Sequence, residues 1–388
     1  MSLVTTAVVV LTAVPAQATI RQQTGARRHA PAAACALPGQ TGWTDEGHDT
    51  DRVQFRRAAG TVRAAMLFVD FPDAPATEST ATDAAQLTPG ADWLREASYG
   101  RVRLDITPVH RWLRMPQDST TYGFDRGISF EQHELYVRQA VAAADPHVDF
   151  GQYDVVYVVA TKAAPAIKFS PTYIYDRNAA GIVADGRRVK WAVTFGQDMW
   201  RWGFKVLNHE TGHIFGLPDL YAFTGDTHGY VGGWDLMGLI SGPSPRFFAW
   251  HSWKLGWIDD SQVACLDAKG QRTVQLSPVE RQGGTKLAVV RTGPTTAYVA
   301  ESRRAEGLDS TACSSGVLIY KVDSAAPTGS GPLRVLDATP GSTPGAGCAP
   351  LDDAAYQPAQ SFTDATAGVR IDVVSSTGGA DIVRVRRT

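Results

Sequence analysis

The sequence lacks an excess of either charge: 37 Lys and Arg stand against 39 Asp and Glu, a formal net charge of -2. Neutralising phosphates needs a basic face, so this balance argues against nucleic-acid binding. The C-terminal run Arg384, Arg386 and Arg387 is short, alternates with valines and reads as the solvent face of a strand. Past the N-terminal stretch, no window holds the roughly 18 apolar residues that a membrane span requires. Cysteine is scarce, with four in all, and none shows the C-x-x-C spacing of a zinc ribbon or dithiol redox site. A G-x-S-x-G elbow, a phosphate-binding glycine loop, a nucleotide fingerprint and internal repeats are all missing.

What remains is a 388-residue chain, 44% hydrophobic and 20% charged, an ordinary globular composition with length for two domains. Residues 1–18 have the character of a secretory signal: Leu3 to Val14 is uncharged and mostly aliphatic, and Ala16-Gln17-Ala18 fits a small-x-small cleavage site. No Lys or Arg precedes that run; either the terminal amine supplies the positive end or the start lies upstream. Export places the protein outside the cell, where an even cysteine count reads as two disulfides. Three pairings are open. Cys313–Cys348 and Cys35–Cys265 are favoured, the second tying an N-terminal arm to the end of the following region.

Residues 19–60 are rich in Ala, Pro, Gln, Arg and Gly and read as an arm or short pro-segment without a core of its own. Residues 61–260 form the expected catalytic domain. There Ala65–Val69 is a buried strand, Thr88-Pro89 opens a helix, Val102, Leu104 and Ile106 alternate as a half-buried strand, and Ser129 with Gln132 forms a capping box before a helix of about four turns. Val155–Val159 and Lys190–Phe195 add two strands. From 261 to 388, strand-like runs at 273–276, 287–291, 298–301, 317–322, 369–374 and 382–385 predict a β-rich, sandwich-like region. The fold class expected is therefore α+β.

The chemistry concentrates in His209-Glu210-Thr211-Gly212-His213-Ile214-Phe215-Gly216-Leu217-Pro218-Asp219. Histidines four residues apart on a helix share one face and can grip one metal ion. Glu210, rotated about 100° from His209, can approach a water there without competing as a ligand. Gly216 suits the left-handed conformation that ends a helix, and Leu217-Pro218 continues extended, delivering Asp219 as a third ligand. Two imidazoles and one carboxylate leave a tetrahedral position open, as one catalytic zinc ion requires. Such a site activates a water toward a peptide carbonyl, with Glu210 as general base. By chance, H-E-x-x-H arises in about one of a few hundred such chains; adding the glycine and aspartate lowers that to a few in a hundred thousand.

His209-Glu210-x-x-His213-x-x-Gly216-x-x-Asp219 resembles the extended zinc motif of metzincins with aspartate as third ligand. Leu217-Pro218-Asp219-Leu220-Tyr221, then Gly233-Trp234-Asp235-Leu236-Met237, is more narrowly similar to the immune inhibitor A-like family of secreted bacterial peptidases. Further matches are Phe71-Pro72-Asp73, Ser98-Tyr99-Gly100, Trp253 to Ile258 and Gly316 to Tyr320, spread over roughly residues 60 to 385. The resemblance implies a metzincin-like catalytic domain, a mixed twisted sheet with an active-site helix, and Met237 in a Met-turn beneath the metal. Many metzincins carry a tyrosine soon after that turn; none stands there here, leaving Tyr221, Tyr230 or His228 as candidate oxyanion stabilisers. Asp219, Asp226 and Asp235 offer a site for a structural calcium ion, against the alternative of a solvated acidic loop. Cys35 as a thiolate cap on the zinc is the alternative to its disulfide. The expected protein is a secreted, monomeric zinc endopeptidase acting on proteins or peptides. The alternatives are an adhesion or binding protein with a relict site, or a zinc amidase acting on cell-wall material.

Overall fold

The computed structural model describes residues 31–388. The expected signal segment 1–18 and the first part of the arm lie outside the described residues. The described residues begin with a 3-10 turn and an irregular stretch leading into β1 (Gly60–Asp70). Two helices follow, α1 (Thr80–Leu87) and α2 (Gly90–Ala97), then β2 (Val102–Arg114), α3 (Phe130–Ala144) and β3 (Val155–Ala160). Next come β4 (Thr172–Ile174), the small hairpin of β5 (Ile182–Ala184) and β6 (Arg187–Val189), and β7 (Trp191–Phe195). The short α4 (Met199–Trp202) precedes α5 (Phe204–Ile214), and after a long loop α6 (Ala249–Lys254) completes this half.

The first sheet has the order β2-β1-β3-β7-β4. Its first four strands are parallel, while β4 runs antiparallel to β7 and has no strand on its other side among the described residues. Parallel strands bury both faces, and β1 shows the consequence: Ala64, Met66 and Phe68 enter one core, Ala65, Leu67 and Val69 the other. The helix α3 covers the second face with Tyr136, Val137 and Ala140. The expected capping box is formed, Ser129 accepting from Gln132 N while the Gln132 side chain accepts from Ser129 N. On the first face lie α1, α2 and α5, through Leu87, Leu94 and Leu207.

The rest of the chain supplies β8 (Val263–Leu266), β9 (Gly270–Leu276), β10 (Leu287–Arg291), β11 (Thr296–Arg303), β12 (Gly316–Asp323) and β13 (Leu333–Val335), then β14 (Ser361–Asp364), β15 (Val369–Thr377) and β16 (Ala380–Arg387). These make a five-stranded sheet, β13-β12-β11-β10-β8, and a four-stranded sheet, β14-β15-β16-β9. The two share a core of Val290, Ala300 and Ile319 against Ile371, Val383 and Val385, so they face each other as a sandwich. The five-stranded sheet is also buried on its other face. There Val289, Val299, Leu318 and Tyr320 join the core that carries Phe68, Leu207 and Met237. The hydrophobic interior thus crosses the expected boundary near residue 260 without a break.

The arm carries no sheet or α-helix among the described residues but is far from loose. Cys35, Leu37 and Ala58 are buried in the same core. The disulfides are Cys35–Cys265 and Cys313–Cys348, the pairings favoured from the sequence. Bonded to Cys265 and fully buried, Cys35 is unavailable as a thiolate cap, which removes that alternative. No helix of the described residues is long and apolar enough to cross a membrane.

Candidate metal centre

The helix α5 lies against β7, β4 and α2. Val206, Leu207 and Ile214 are fully buried, and the Tyr157 and Thr211 hydroxyls hydrogen-bond at 2.8 Å, fastening α5 to β3. His209 and His213 project from the remaining face with ring centroids 4.9 Å apart. Gly216 follows with φ +96, the left-handed backbone expected there. The chain then reverses and brings Asp219 back over the helix. Its Oδ1 lies 3.2 Å from His209 Nε2 and 3.2 Å from His213 Nε2.

Each imidazole is oriented from behind. His209 Nδ1 is 2.9 Å from Leu236 O, and His213 Nδ1 is 2.8 Å from Leu217 O. A carbonyl only accepts, so Nδ1 carries the proton and the Nε2 lone pair faces Asp219 in each neutral ring. Although 3.2 Å is ion-pair distance, neither ring is aligned for a hydrogen bond to Oδ1, which is buried and without a hydrogen-bond partner among the described residues. Three electron-rich atoms therefore converge on a shared space. Ligands of a tetrahedral zinc ion at about 2.0–2.1 Å stand about 3.3 Å apart, so the donor set fits that metal in kind, and the two nitrogen-to-oxygen gaps fit it in spacing.

Electrostatics agree. Burial opposes charging the imidazoles, yet the Asp219 carboxylate overrides it and raises His213 to about 9, with His209 also raised. Burial pushes Asp219 up as well, but the two imidazoles hold it well below the usual carboxylate range. The group thus favours positive charge at its centre, whether a proton or a metal cation supplies it. His209, Glu210 and His213 form a cluster whose ligand atoms all lie within 4.8 Å of one another.

Glu210 is buried, and that burial raises its pKa above the ordinary carboxylate range despite the neighbouring histidines. Its Oε2 accepts a 2.8 Å hydrogen bond from the Thr172 hydroxyl, which also lies 3.0 Å from the Glu210 carbonyl. Thr172 begins β4, the edge strand, so one residue links the sheet margin to the carboxylate. Nothing in the sequence singled it out; β4 is three residues long, too short for a period to show.

Met237 sits directly beneath the helix. A Cβ built on Gly212 would stand 2.7 Å from Met237 Sδ, so a larger residue there would have to displace the sulfur. The same turn supplies Leu236 O to His209, and Met237 O accepts from Leu220 N at 2.9 Å. Its supports come from far along the chain. Arg303 on β11, buried among Glu280, Glu301 and Asp309, donates to Trp234 O at 3.0 Å. Asp352 accepts from Gly233 N, and Leu351 O accepts from Trp234 Nε1. Thr328, in the loop between β12 and β13, accepts from Asp219 N at 2.8 Å, while Asp219 O accepts from Gly329 N.

The other candidates occupy separate places. The Tyr221 ring is stacked 6.3 Å from that of His209, and burial together with the Asp219 and Glu210 charges raises its pKa, so it keeps its proton. Tyr230 lies under the Arg334 guanidinium at 4.1 Å. The His228 backbone N–H donates to Asp226 Oδ1, and the His228 Nδ1 is buried without a partner among the described residues. Of the three aspartates considered for calcium, Asp219 faces the imidazoles, Asp226 caps a turn, and Asp235 is fully buried beneath the Met237 turn. No protein-family model matches the chain. No curated protein matches it either.

Proposed function

We propose that this chain is a secreted zinc endopeptidase of metzincin type, belonging with the immune inhibitor A-like peptidases it resembles. One observation carries the reading: two imidazoles and a carboxylate converge with unshared acceptor atoms, and a second buried carboxylate stands beside them on the same helix. His209, His213 and Asp219 would hold the ion. Zinc bound there supplies a Lewis acid that polarises a carbonyl and acidifies a water near neutral pH.

The chain's own groups do the rest. Glu210 takes a proton from the attacking water and delivers it to the departing amine, a task suited to a carboxylate whose proton affinity is raised by burial. Thr172 fixes which oxygen of Glu210 points where. Among the described residues no strand pairs with the outer edge of β4, next to that carboxylate, so an extended peptide can pair with it as an added strand. This edge favours a polypeptide over a cell-wall amide. Tyr221, protonated and beside His209, is the preferred donor to the oxygen that gains charge. Residues 61–260 are the catalytic domain and 261–388 the β-rich region in this reading. Export accords with two disulfides, which persist in oxidising compartments.

The test is hydrolysis of casein and of a denatured-protein mixture, with sequencing of the products. Cleavage at peptide bonds should vanish with a zinc chelator, return with added zinc, and drop by about a hundredfold or more in Glu210→Ala. Full activity in that variant would end the proposal, and products cut only at cell-wall amides would redirect it.

A further inference from the structure

The turn that orients His209 is itself held by a buried chain of charged groups that ends in the N-terminal arm. Asp235 is the first link. Its Oδ1 accepts from Met237 N at 2.7 Å, and its Oδ2 accepts from Phe248 N at 2.6 Å and from His251 Nδ1 at 3.0 Å. His251, on α6, presents its other nitrogen to Glu46 Oε1, also at 3.0 Å. Asp235, His251 and Glu46 are all fully buried. A histidine with a carboxylate at each nitrogen donates at both, so it carries a proton on each and a positive charge. Burial alone would lower its pKa, but Glu46 and Asp235 raise it to about 10.

Glu46 belongs to the irregular segment between the Cys35–Cys265 disulfide and β1. The arm is fitted around this link. Glu46 O accepts from Trp250 Nε1 at 3.1 Å, and Lys254 Nζ donates to Gly47 O and to Thr50 Oγ1. Glu46 Oε2 is buried with no hydrogen-bond partner among the described residues, so His251 is the carboxylate's one side-chain hydrogen bond. Removing one member of such a buried set leaves the next charge without compensation, which is costly in a medium of low polarity. The strain would fall on Asp235, one residue from the carbonyl that aligns His209.

We propose that Glu46 is a positioning residue of the metal site, acting through His251 and Asp235 on the turn that orients His209, and that its segment is therefore a retained part of the working protein rather than a removable pro-segment. The proposal rests on the zinc reading above. It also separates two parts of residues 19–60: any maturation cut falls before Glu46, and the stretch from Glu46 to Ala58 stays.

The experiment compares zinc dissociation constants of the full chain, Glu46→Gln and Glu46→Asp, by competition with a chromophoric chelator, well below the melting temperature of each. Cobalt-substituted protein supplies a visible spectrum as a second readout of ligand geometry. Glu46→Gln should weaken zinc binding about tenfold, the lower end for a group supporting a ligand from behind, with a shifted cobalt spectrum. Glu46→Asp, which keeps the charge with a shorter reach, should fall between that variant and the parent. A lowered melting temperature with zinc affinity within about twofold of the parent in both variants would overturn the proposal, because a merely structural role moves only stability. If Glu46→Gln does not fold, Glu46→Asp carries the same comparison. Failure of the unaltered chain to bind zinc would instead sink the metal reading itself.

Discussion

Replacing Thr172 by valine keeps the shape of the side chain and removes one hydroxyl. That hydroxyl donates to Glu210 Oε2 at 2.8 Å, and the hydrogen bond lowers the pKa of a carboxylate that burial raises. A hydrogen bond to an ionised group contributes about 1.5–3 kcal/mol. Its loss therefore strengthens proton binding by Glu210 roughly tenfold or more, since 1.36 kcal/mol is one decade. The sign follows from the role. A general base works when unprotonated, so its rate rises as pH climbs through its pKa, and a raised pKa moves that rise to higher pH. In Thr172→Val the acid limb of kcat/KM should shift to the alkaline side, with most activity recovered on the plateau. The assay is a pH series with an internally quenched peptide, under zinc saturation, for parent and variant in parallel. An acid limb left in place, or moved to lower pH, would refute Thr172 as a partner of the ionised base.

Asp219→Asn keeps the volume and discards the charge that draws both imidazoles toward a cation. Its zinc dissociation constant should rise by more than about a hundredfold, measured by chelator competition, and an unchanged value would exclude the carboxylate as a ligand. Gly212→Ala sets two effects against each other. Alanine favours a helix by about 1 kcal/mol, while overpacking costs about 1–3 kcal/mol. With Met237 fully buried and 2.7 Å from the new methyl, crowding should win. The melting temperature should drop and zinc bind more weakly; a higher melting temperature would mean that the sulfur has room to retreat.

The convergence of His209, His213 and Asp219 was legible because it is local. Two histidines one turn apart, a glycine at the helix end and a proline before the aspartate determine the path of the chain over eleven residues with little help from elsewhere. Long strands such as β1 and β3 were visible for the same reason, each being a sustained apolar run. The supports were not. Thr172 acts from a strand too short to announce itself. Glu46 and His251 look like surface residues in sequence, and become partners only because an arm without periodicity folds against α6. Helix α1 escaped notice because its eight residues bury Asp83 along with Ala84 and Leu87, which blurs the apolar face. Arg303 and Asp352 brace the Met237 turn from positions 69 and 119 residues away, distances at which sequence pattern carries no information.

A sheet walled in on both sides has a bearing on timing. The chain leaves the ribosome N-terminus first, so the histidine pair emerges well before Thr328, Arg303 and Asp352, which brace the ligand loop and the turn below it. An unfinished polypeptide halted near residue 260 keeps the two histidines and Asp219 but lacks these supports, and is expected to bind zinc more weakly than the finished one in equilibrium dialysis. The metal centre is therefore completed only after the residues through Asp352 have joined the fold, late in the order of synthesis.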